Sequence, residues 1–469
     1  MRSFLLALEW MVLLYFVVAH LGPIVRNLLA IARLRRIALR PLEDLPPAHP
    51  DLQPPVSLVI AARDDEATIV GRVKLLLQLD YPEFEIVVVN DGSADGTLVT
   101  LQQAFDLEAY PEAYWRRIPT QPLHAVYRSR TVPILRVLDK EPGGMADALN
   151  AGINVSRYPL FCPVDAGAIL LRDGLRRLVE PFVQDPGTVA TRAAARISEG
   201  CAFANGKLQA VELPGRLLGR VQVLESLRAM PFGRLGWGTV NGAIVAPASL
   251  AVFRKDPVVE ARGYHADAIA GDTELLVRVH HLLRSRGEAC SIHFVADPIC
   301  WTEVPATALG IAQNRIERQQ GLAQVLHANG DLLRTGGGLA GRLAYGSAML
   351  FECYGPLIEV AGYLFMAAMW LAAQVTDAMM IAFLVMAFSL GFLVSLSGLL
   401  LEELTFRLYG RFGQAGGLAF AALVENLGYR QFVSVARAIG VVRWLRGRRV
   451  SQEAAAVAWR RRGRAGLGT

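Results

Sequence analysis

Apolar positions along this chain fall into three regimes. From Phe4 to about Ala30 the sequence is almost continuously hydrophobic, with Glu9, His20 and Arg26 as exceptions, and this run is long enough to cross a hydrocarbon core of about 30 Å. From Val56 the pattern changes to short apolar runs alternating with amphipathic stretches, the succession of strand, turn and helix expected of an α/β domain. Ser57–Ala61, Glu85–Val89, Ile134–Leu138 and Leu160–Val164 read as buried strands, and Ala67–Leu79, Gly96–Phe105 and Ala146–Asn154 as helices. Near Leu343 long apolar stretches resume. Met379–Leu401 is the clearest span and Tyr354–Gln374 its partner, with Glu359 turned toward protein or a polar cavity.

These regimes divide the chain into an N-terminal transmembrane anchor (1–40), a proline-rich linker (41–55), an α/β domain (56–335), C-terminal transmembrane and interfacial helices (343–442) and a basic tail (443–469). A cleaved signal peptide fits the start poorly: only Arg2 precedes the apolar run, which is too long and leads into arginines instead of a small-residue cleavage site. Leu418–Val442 carries Glu425, Asn426, Arg430 and Arg437, so it reads as interfacial or amphipathic.

Composition agrees with a membrane protein: 53% of the 469 residues are hydrophobic and 19% charged. The net charge of +6 is concentrated at Arg26, Arg33, Arg35, Arg36 and Arg40 and again at Arg443, Arg446, Arg448, Arg449 and Arg460 to Arg462. That is membrane-flanking charge, which puts the α/β domain and the tail on the cytoplasmic side. No basic patch interleaved with aromatics argues for nucleic acid as a partner. Five cysteines without CxxC or Cys/His spacing read as reduced thiols. His280 and His281, adjacent on a helix, point about 100° apart and read as surface or interface residues.

Two of the predicted strands end in carboxylates, Val87-Val88-Val89-Asn90-Asp91 and Pro163-Val164-Asp165. In open α/β sheets ligands sit outside the carboxyl ends of the strands, so this pair marks the place where chemistry is expected. Three further segments stand out: the acidic turn Ala62 to Glu66, the glycine turn Gly143-Gly144 with Asp147 behind it, and Asp272 at the start of an apolar helix.

Together these segments resemble the membrane-bound family-2 glycosyltransferases, the group containing bacterial cellulose, hyaluronan and poly-N-acetylglucosamine synthases, over roughly Pro54 to Leu326. The resemblance implies a Rossmann-like GT-A domain with transmembrane and interfacial helices, lodged in a bacterial inner membrane with several passes. Ala62, Asp64 and Glu66 would line the nucleoside, and Asp91 would accept hydrogen bonds from the nucleotide. Gly143, Gly144 and Asp147 would lie along the diphosphate. Asp165 would contact the nucleotide sugar and a divalent metal, Mg²⁺ or Mn²⁺. Asp272 would be the general base, and Arg315 would face the diphosphate. The implied reaction is inverting transfer of a sugar from a nucleoside-diphosphate sugar to a glycan or lipid-linked acceptor, with membrane lipids around it and polysaccharide-export subunits as candidate partners.

Five departures fall on the same elements. Met145 stands where the family has lysine, Gly167 where the second aspartate of DxD binds metal, Pro247-Ala248-Ser249 where Ser-Gly-Ala is common, Gly271 where a glutamate precedes the base, and Glu317-Arg318 where Arg-Trp is usual. Gly167 cannot supply a hard oxygen ligand, so either other groups hold the metal or it binds poorly. The departures keep a second reading open, a catalytically inactive glycosyltransferase-like subunit of a polysaccharide synthesis or export complex. Trp237 and Trp301 are candidate aromatic platforms for a sugar, with core packing the alternative.

Overall fold

The computed structural model describes residues 2–38, 53–165, 167–204, 206–229, 250–330, 342 and 345–447. The acceptor-side segment Pro247-Ala248-Ser249, Trp237, most of the linker and the basic tail lie outside the described residues.

A ten-stranded mixed sheet organises the α/β domain. In chain order its strands are β1 (Val56–Ala62), β2 (Phe84–Asp91), β3 (Leu107–Ala109), β4 (Leu123–Ser129), β5 (Leu135–Lys140), β6 (Leu160–Pro163), β7 (Ala168–Leu170), β8 (Thr188–Ile197), β11 (Leu250–Arg254) and β12 (Ser291–Thr302). The missing numbers, β9 (Ala202–Ala204) and β10 (Lys207–Ala210), form a separate hairpin. Across the sheet the order is β3-β4-β5-β2-β1-β6-β11-β8-β12-β7. The central four, β5-β2-β1-β6, are parallel.

Every residue of β1 and β2 is buried, the mark of strands covered on both faces. Alternate residues feed two layers. Leu58, Ile60 and Val88 pack with α2 (Ile69–Leu76), α3 (Thr97–Phe105) and α5 (Gly174–Gln184). Val59, Ala61, Val87 and Val89 pack with α4 (Met145–Val155) on the other side. Gly152 of α4 seats that helix closely, since a Cβ there would come within 2.3 Å of Val59 Cγ1.

The chain runs from β1 outward through β2 to β5 and then returns to β6 on the other flank of β1. The β1/β6 junction is therefore the topological switch point where such sheets bind ligands. The expected strands and helices of this half fall within a few residues of their predicted places. The sheet also contains β3, β4, β7, β8, β11 and β12, which the sequence pattern does not predict; β3 is an edge strand and β4 lies next to it, both partly exposed and without a clean apolar run.

The later helices are α6 (Leu217–Ala229), α7 (Lys255–Glu260), α8 (Gly271–Ser285) and α9 (Ala308–Ala328) in the domain. Around them stand α1 (Arg2–Ala38), α10 (Gly355–Leu371), α11 (Asp377–Thr405), α12 (Phe412–Val424) and α13 (Arg430–Leu445). Among the described residues, Leu8–Val25 of α1 and Asp377–Thr405 are long and apolar enough to cross a membrane. The bent pair Tyr345–Cys353 and Gly355–Leu371 makes a third if counted as one span. Phe16, Met366, Phe383 and Ala387 close α1, α10 and α11 together.

Leu418–Val442 is not one helix. It breaks at Leu427 and at Gly428, whose φ is 112°, and α13 lies against α9, with Gly440 so close that a Cβ would meet the Ile316 carbonyl at 2.7 Å. Glu359 faces protein: it accepts from Ser434 Oγ at 2.8 Å and stands 3.5 Å from Arg430 Nε. His281 is exposed, but His280 is fully buried on the apolar face of α8, and burial brings its pKa down to about 4. Trp301 is also fully buried and meets Phe203 edge-on, which makes it a packing residue. The five cysteines are free thiols, three of them buried.

Candidate active site

Three loops converge above the carboxyl ends of β1, β2 and β5. The first, after β1, places Asp64 at a positive φ of 52°. Asp64 N–H donates to Ser93 Oγ at 3.0 Å, and Asp64 Oδ1 accepts from the Ala94 N–H at 2.8 Å. Glu66 repeats the pattern one turn on, its N–H donating to Asp95 Oδ2 and its Oε2 accepting from the Gly96 N–H, both at 3.1 Å. Both carboxylates thus tie this loop to the β2–α3 loop. Ala62 is fully buried in the sheet and offers a ligand no side-chain surface.

Asp91 ends β2 with no exposure. Its Oδ1 accepts from Lys140 Nζ at 2.7 Å and from the Gly143 N–H at 2.8 Å, and its Oδ2 accepts from the Gly144 N–H at 2.8 Å. The carboxylate therefore holds the glycine turn from within. Gly144, at φ +89°, adopts a conformation open to glycine and costly for other residues. Asp147 continues the network: Oδ1 accepts from the Gln121 N–H at 3.0 Å, and Oδ2 stands 2.6 Å from Lys140 Nζ.

Lys140 went unnoticed in the sequence, although it ends an apolar strand just as Asp91 does. The same strand-end rule applied to Ile134–Lys140 would have found it. It is fully buried and brings positive charge beneath the turn, while Met145, in the position of the family lysine, is largely exposed.

Asp165 stands exposed beyond β6 at the switch point. Among the described residues a Cβ at Gly167 would meet only Thr302 Oγ1, at 3.8 Å. Among the described residues no group of three or more His, Cys, Asp or Glu gathers to hold a metal. This donor set suits a cation that arrives with substrate phosphates, because Mg²⁺ in such sites uses one or two protein carboxylates and takes its other oxygens from phosphate and water. It does not suit a resident ion.

Asp272 lies in the first turn of α8 and accepts a hydrogen bond from the Tyr264 hydroxyl at 2.7 Å. Burial pushes its pKa above the usual carboxylate value; the Tyr264 hydrogen bond and the Arg192 charge act in the opposite sense. A carboxylate so raised is suited to taking a proton. Arg315 is placed elsewhere. Its guanidinium is 2.6 Å from Glu225 Oε2 on α6, the oxygen that also accepts from the Tyr429 hydroxyl at 3.1 Å. Arg315 thereby ties α9 to α6 and, through Glu225, to the α12–α13 break. Neither Tyr264 nor Glu225 carries a local sequence signal, since each acquires its partner only through folding.

Residues 57–214 match the family described as Glycosyl transferase family 2. The chain is 23% identical over 272 residues to the poly-beta-1,6-N-acetyl-D-glucosamine synthase of Staphylococcus epidermidis, covering 58% of this chain and 55% of that protein. The Staphylococcus aureus (strain COL) protein of the same name is 25% identical over the same length and coverage. The chain thus spans about half the length of the curated relatives it matches. Among solved structures it is similar to the mannosyltransferase PcManGT of Pyrobaculum calidifontis in complex with GDP-Man and Mn²⁺, with 20% identity, a TM-score of 0.54 and coverage of 90% of this chain and 99% of that one. The fold is the mixed α/β GT-A glycosyltransferase fold. The chain carries a domain of glycosyl transferase family 2.

Proposed function

We propose that this chain transfers a sugar from a nucleoside-diphosphate sugar to a glycan or lipid-linked acceptor, with inversion, on the cytoplasmic side of a bacterial inner membrane. The observation that carries the reading is Asp272, a carboxylate with a raised pKa whose Oδ1 is held by Tyr264. In a direct displacement it would take the proton of the acceptor hydroxyl as that oxygen attacks the anomeric carbon, while the nucleoside diphosphate leaves from the opposite face. The Asp64 and Glu66 loop would border the nucleoside. The turn at Gly143 and Gly144, buttressed by Asp91, Lys140 and Asp147, would approach the diphosphate. Asp165 would face the sugar and hold Mg²⁺ or Mn²⁺ brought in with the donor. When bound, such a cation offsets charge on the leaving diphosphate.

The arginine-rich flanks and the candidate spans support a multi-pass placement in lipid, with export subunits as further candidate partners. The relatives' name supports a polysaccharide product. The second reading, a non-catalytic subunit that retains nucleotide or glycan binding, draws on a specific observation: Asp91 and Arg315 are both engaged internally, and Gly167 leaves Asp165 without the neighbour a DxD site has.

Purified full-length protein assayed against a panel of nucleotide sugars, with released nucleoside diphosphate quantified with and without Mn²⁺, separates the two. Turnover with any donor supports the enzyme. Binding of nucleoside diphosphate without turnover, together with a requirement for the chain in cellular glycan output, supports the subunit.

A further inference from the structure

Asp272 is held by a network that starts eight residues away at Tyr264 and reaches distant strands and helices. The Tyr264 hydroxyl donates to its Oδ1. The Tyr264 backbone is in turn clamped by Asn150 of α4: Asn150 Nδ2 donates to the Tyr264 carbonyl at 2.8 Å, and the Tyr264 N–H donates to Asn150 Oδ1 at 2.7 Å. So close an approach needs Gly263, whose φ is +65° and where a Cβ would come within 2.3 Å of Asn150 Oδ1. The Tyr264 ring rests on Gly271, where a Cβ would stand 3.3 Å from ring atom Cδ1. From the sheet, the buried Arg192 donates from Nη2 to Thr273 Oγ1 at 3.2 Å and brings a positive charge beneath the same turn.

We propose that Tyr264 and Arg192 are positioning residues for Asp272 and that Asn150 fixes Tyr264, so that α4 joins the glycine turn at its start to the acceptor-side carboxylate. The proposal rests on the reading of Asp272 as the base. A carboxylate has two oxygens, and holding Oδ1 with a hydroxyl leaves Oδ2 to receive the proton of an acceptor. Gly271 then has a function of its own. Where the resemblance has glutamate beside the base, this chain has a seat for an aromatic ring, and the hydroxyl of that ring, with the Arg192 guanidinium, sets the surroundings of Asp272.

Among the described residues, other groups also act on Asp272 or its neighbours. The Cys162 thiol of β6 has its pKa raised by burial and, to a lesser degree, by the Asp272 charge. The Asp165 charge acts on both Tyr264 and Cys300. Gly321 of α9 packs on Ala270. Glu274, on the same helix, is turned to Arg278 and His265.

The test compares the full-length wild type with Tyr264→Phe and Gly271→Ala, measuring nucleoside diphosphate release from acid to alkaline pH with a donor the wild type uses. Loss of the hydroxyl removes a hydrogen bond that favours the ionised carboxylate. In Tyr264→Phe the acid limb of kcat should therefore move up by about one pH unit. At the wild-type midpoint kcat should fall by about fivefold, with donor KM unchanged. Gly271→Ala, which presses on the ring without removing the hydroxyl, should change kcat in the same direction by less. An unmoved limb, or a raised donor KM with kcat intact, overturns the proposal. If the wild type turns over no donor, the base reading itself fails. The positioning is then read from an infrared difference titration of the Asp272 carboxylate, referenced to Asp272→Asn: its midpoint must rise in Tyr264→Phe, and an unchanged midpoint overturns the proposal.

Discussion

Lys140 and Asp91 stand opposite each other in the register of β5 and β2, with Lys140 Nζ 2.7 Å from Asp91 Oδ1 and neither side chain exposed. Removing one partner of such a pair leaves a buried charge uncompensated, whereas two well-placed backbone N–H donors soften the loss at Asp91. Lys140→Met should lower stability by about 3 kcal/mol in denaturant unfolding, and Asp91→Asn in the same background should recover part of it. Because Asp91 holds the turn at Gly143 and Gly144, Asp91→Ala should also weaken UDP binding in calorimetry. Unchanged binding would separate that turn from the nucleotide.

Gly167 has room for a side chain and no positive φ to forbid one. Gly167→Asp should fold as the wild type does and add a second hard ligand beside Asp165. Mn²⁺ titration followed by electron paramagnetic resonance, in the presence of UDP, should show tighter binding. If the chain is an enzyme limited at this point, donor turnover should rise and become more dependent on Mn²⁺.

Asp272→Asn tests the base in two ways. Turnover should fall by about a hundredfold or more. Stability should move in the opposite direction, because the folded-state pKa of Asp272 is raised, first by burial. A carboxyl whose pKa is raised on folding favours the fold below its unfolded pKa, and that contribution is lost as pH rises through the folded value. The asparagine cannot ionise, so its Tm should exceed that of the wild type at neutral pH, with the gain shrinking in acid. A variant less stable than wild type at neutral pH would contradict this account.

Glu225 serves two partners, Arg315 and Tyr429. Burial raises its pKa, but the Arg315 and Arg228 charges and the two hydrogen bonds outweigh this and leave it below the ordinary value. Its contribution to stability is therefore present above the unfolded pKa and lost as pH falls through the folded one. Glu225→Ala should cost about 3 kcal/mol, measured by thermal or denaturant unfolding, with part recovered in Glu225→Ala/Arg315→Met. Arg315→Met alone should lower stability while leaving donor KM nearly unchanged, since its guanidinium is committed to Glu225.

Topology can be read independently. Reporter fusions at Leu333 and after Val450 should both report cytoplasm. A tail reporting the outside would make the α12–α13 region a crossing element despite its break at Gly428.

Local pattern was sufficient for the parallel heart of the domain. A strand covered on both faces reads as a near-continuous apolar run, so β1, β2, β5 and β6 stand out in the sequence even with Glu85 and Arg136 paired inside the sheet, and a carboxylate at the end of such a strand lies at the carboxyl edge of the sheet. The same logic picked out the helices long and apolar enough to cross a membrane, because lipid demands long unbroken apolar runs. It did not extend to β3 and β4, whose exposed residues blur the alternation, nor to β7, β8, β11 and β12, which pair across long separations.

At the site, the sequence by itself determined which residues stand near the switch point: Asp64, Glu66, Asp91, Gly143, Gly144, Asp147 and Asp165. Tertiary structure alone decided what each of them touches. Asp91 is spent on Lys140 and two backbone N–H groups, Arg315 on Glu225, and Asp272 is held by a tyrosine that Asn150 fixes from another helix. The reason is physical: a strand or helix follows from periodicity over neighbouring residues, but a buried charge settles on whichever partner the packed core brings within hydrogen-bond reach, and that partner can be a hundred residues away.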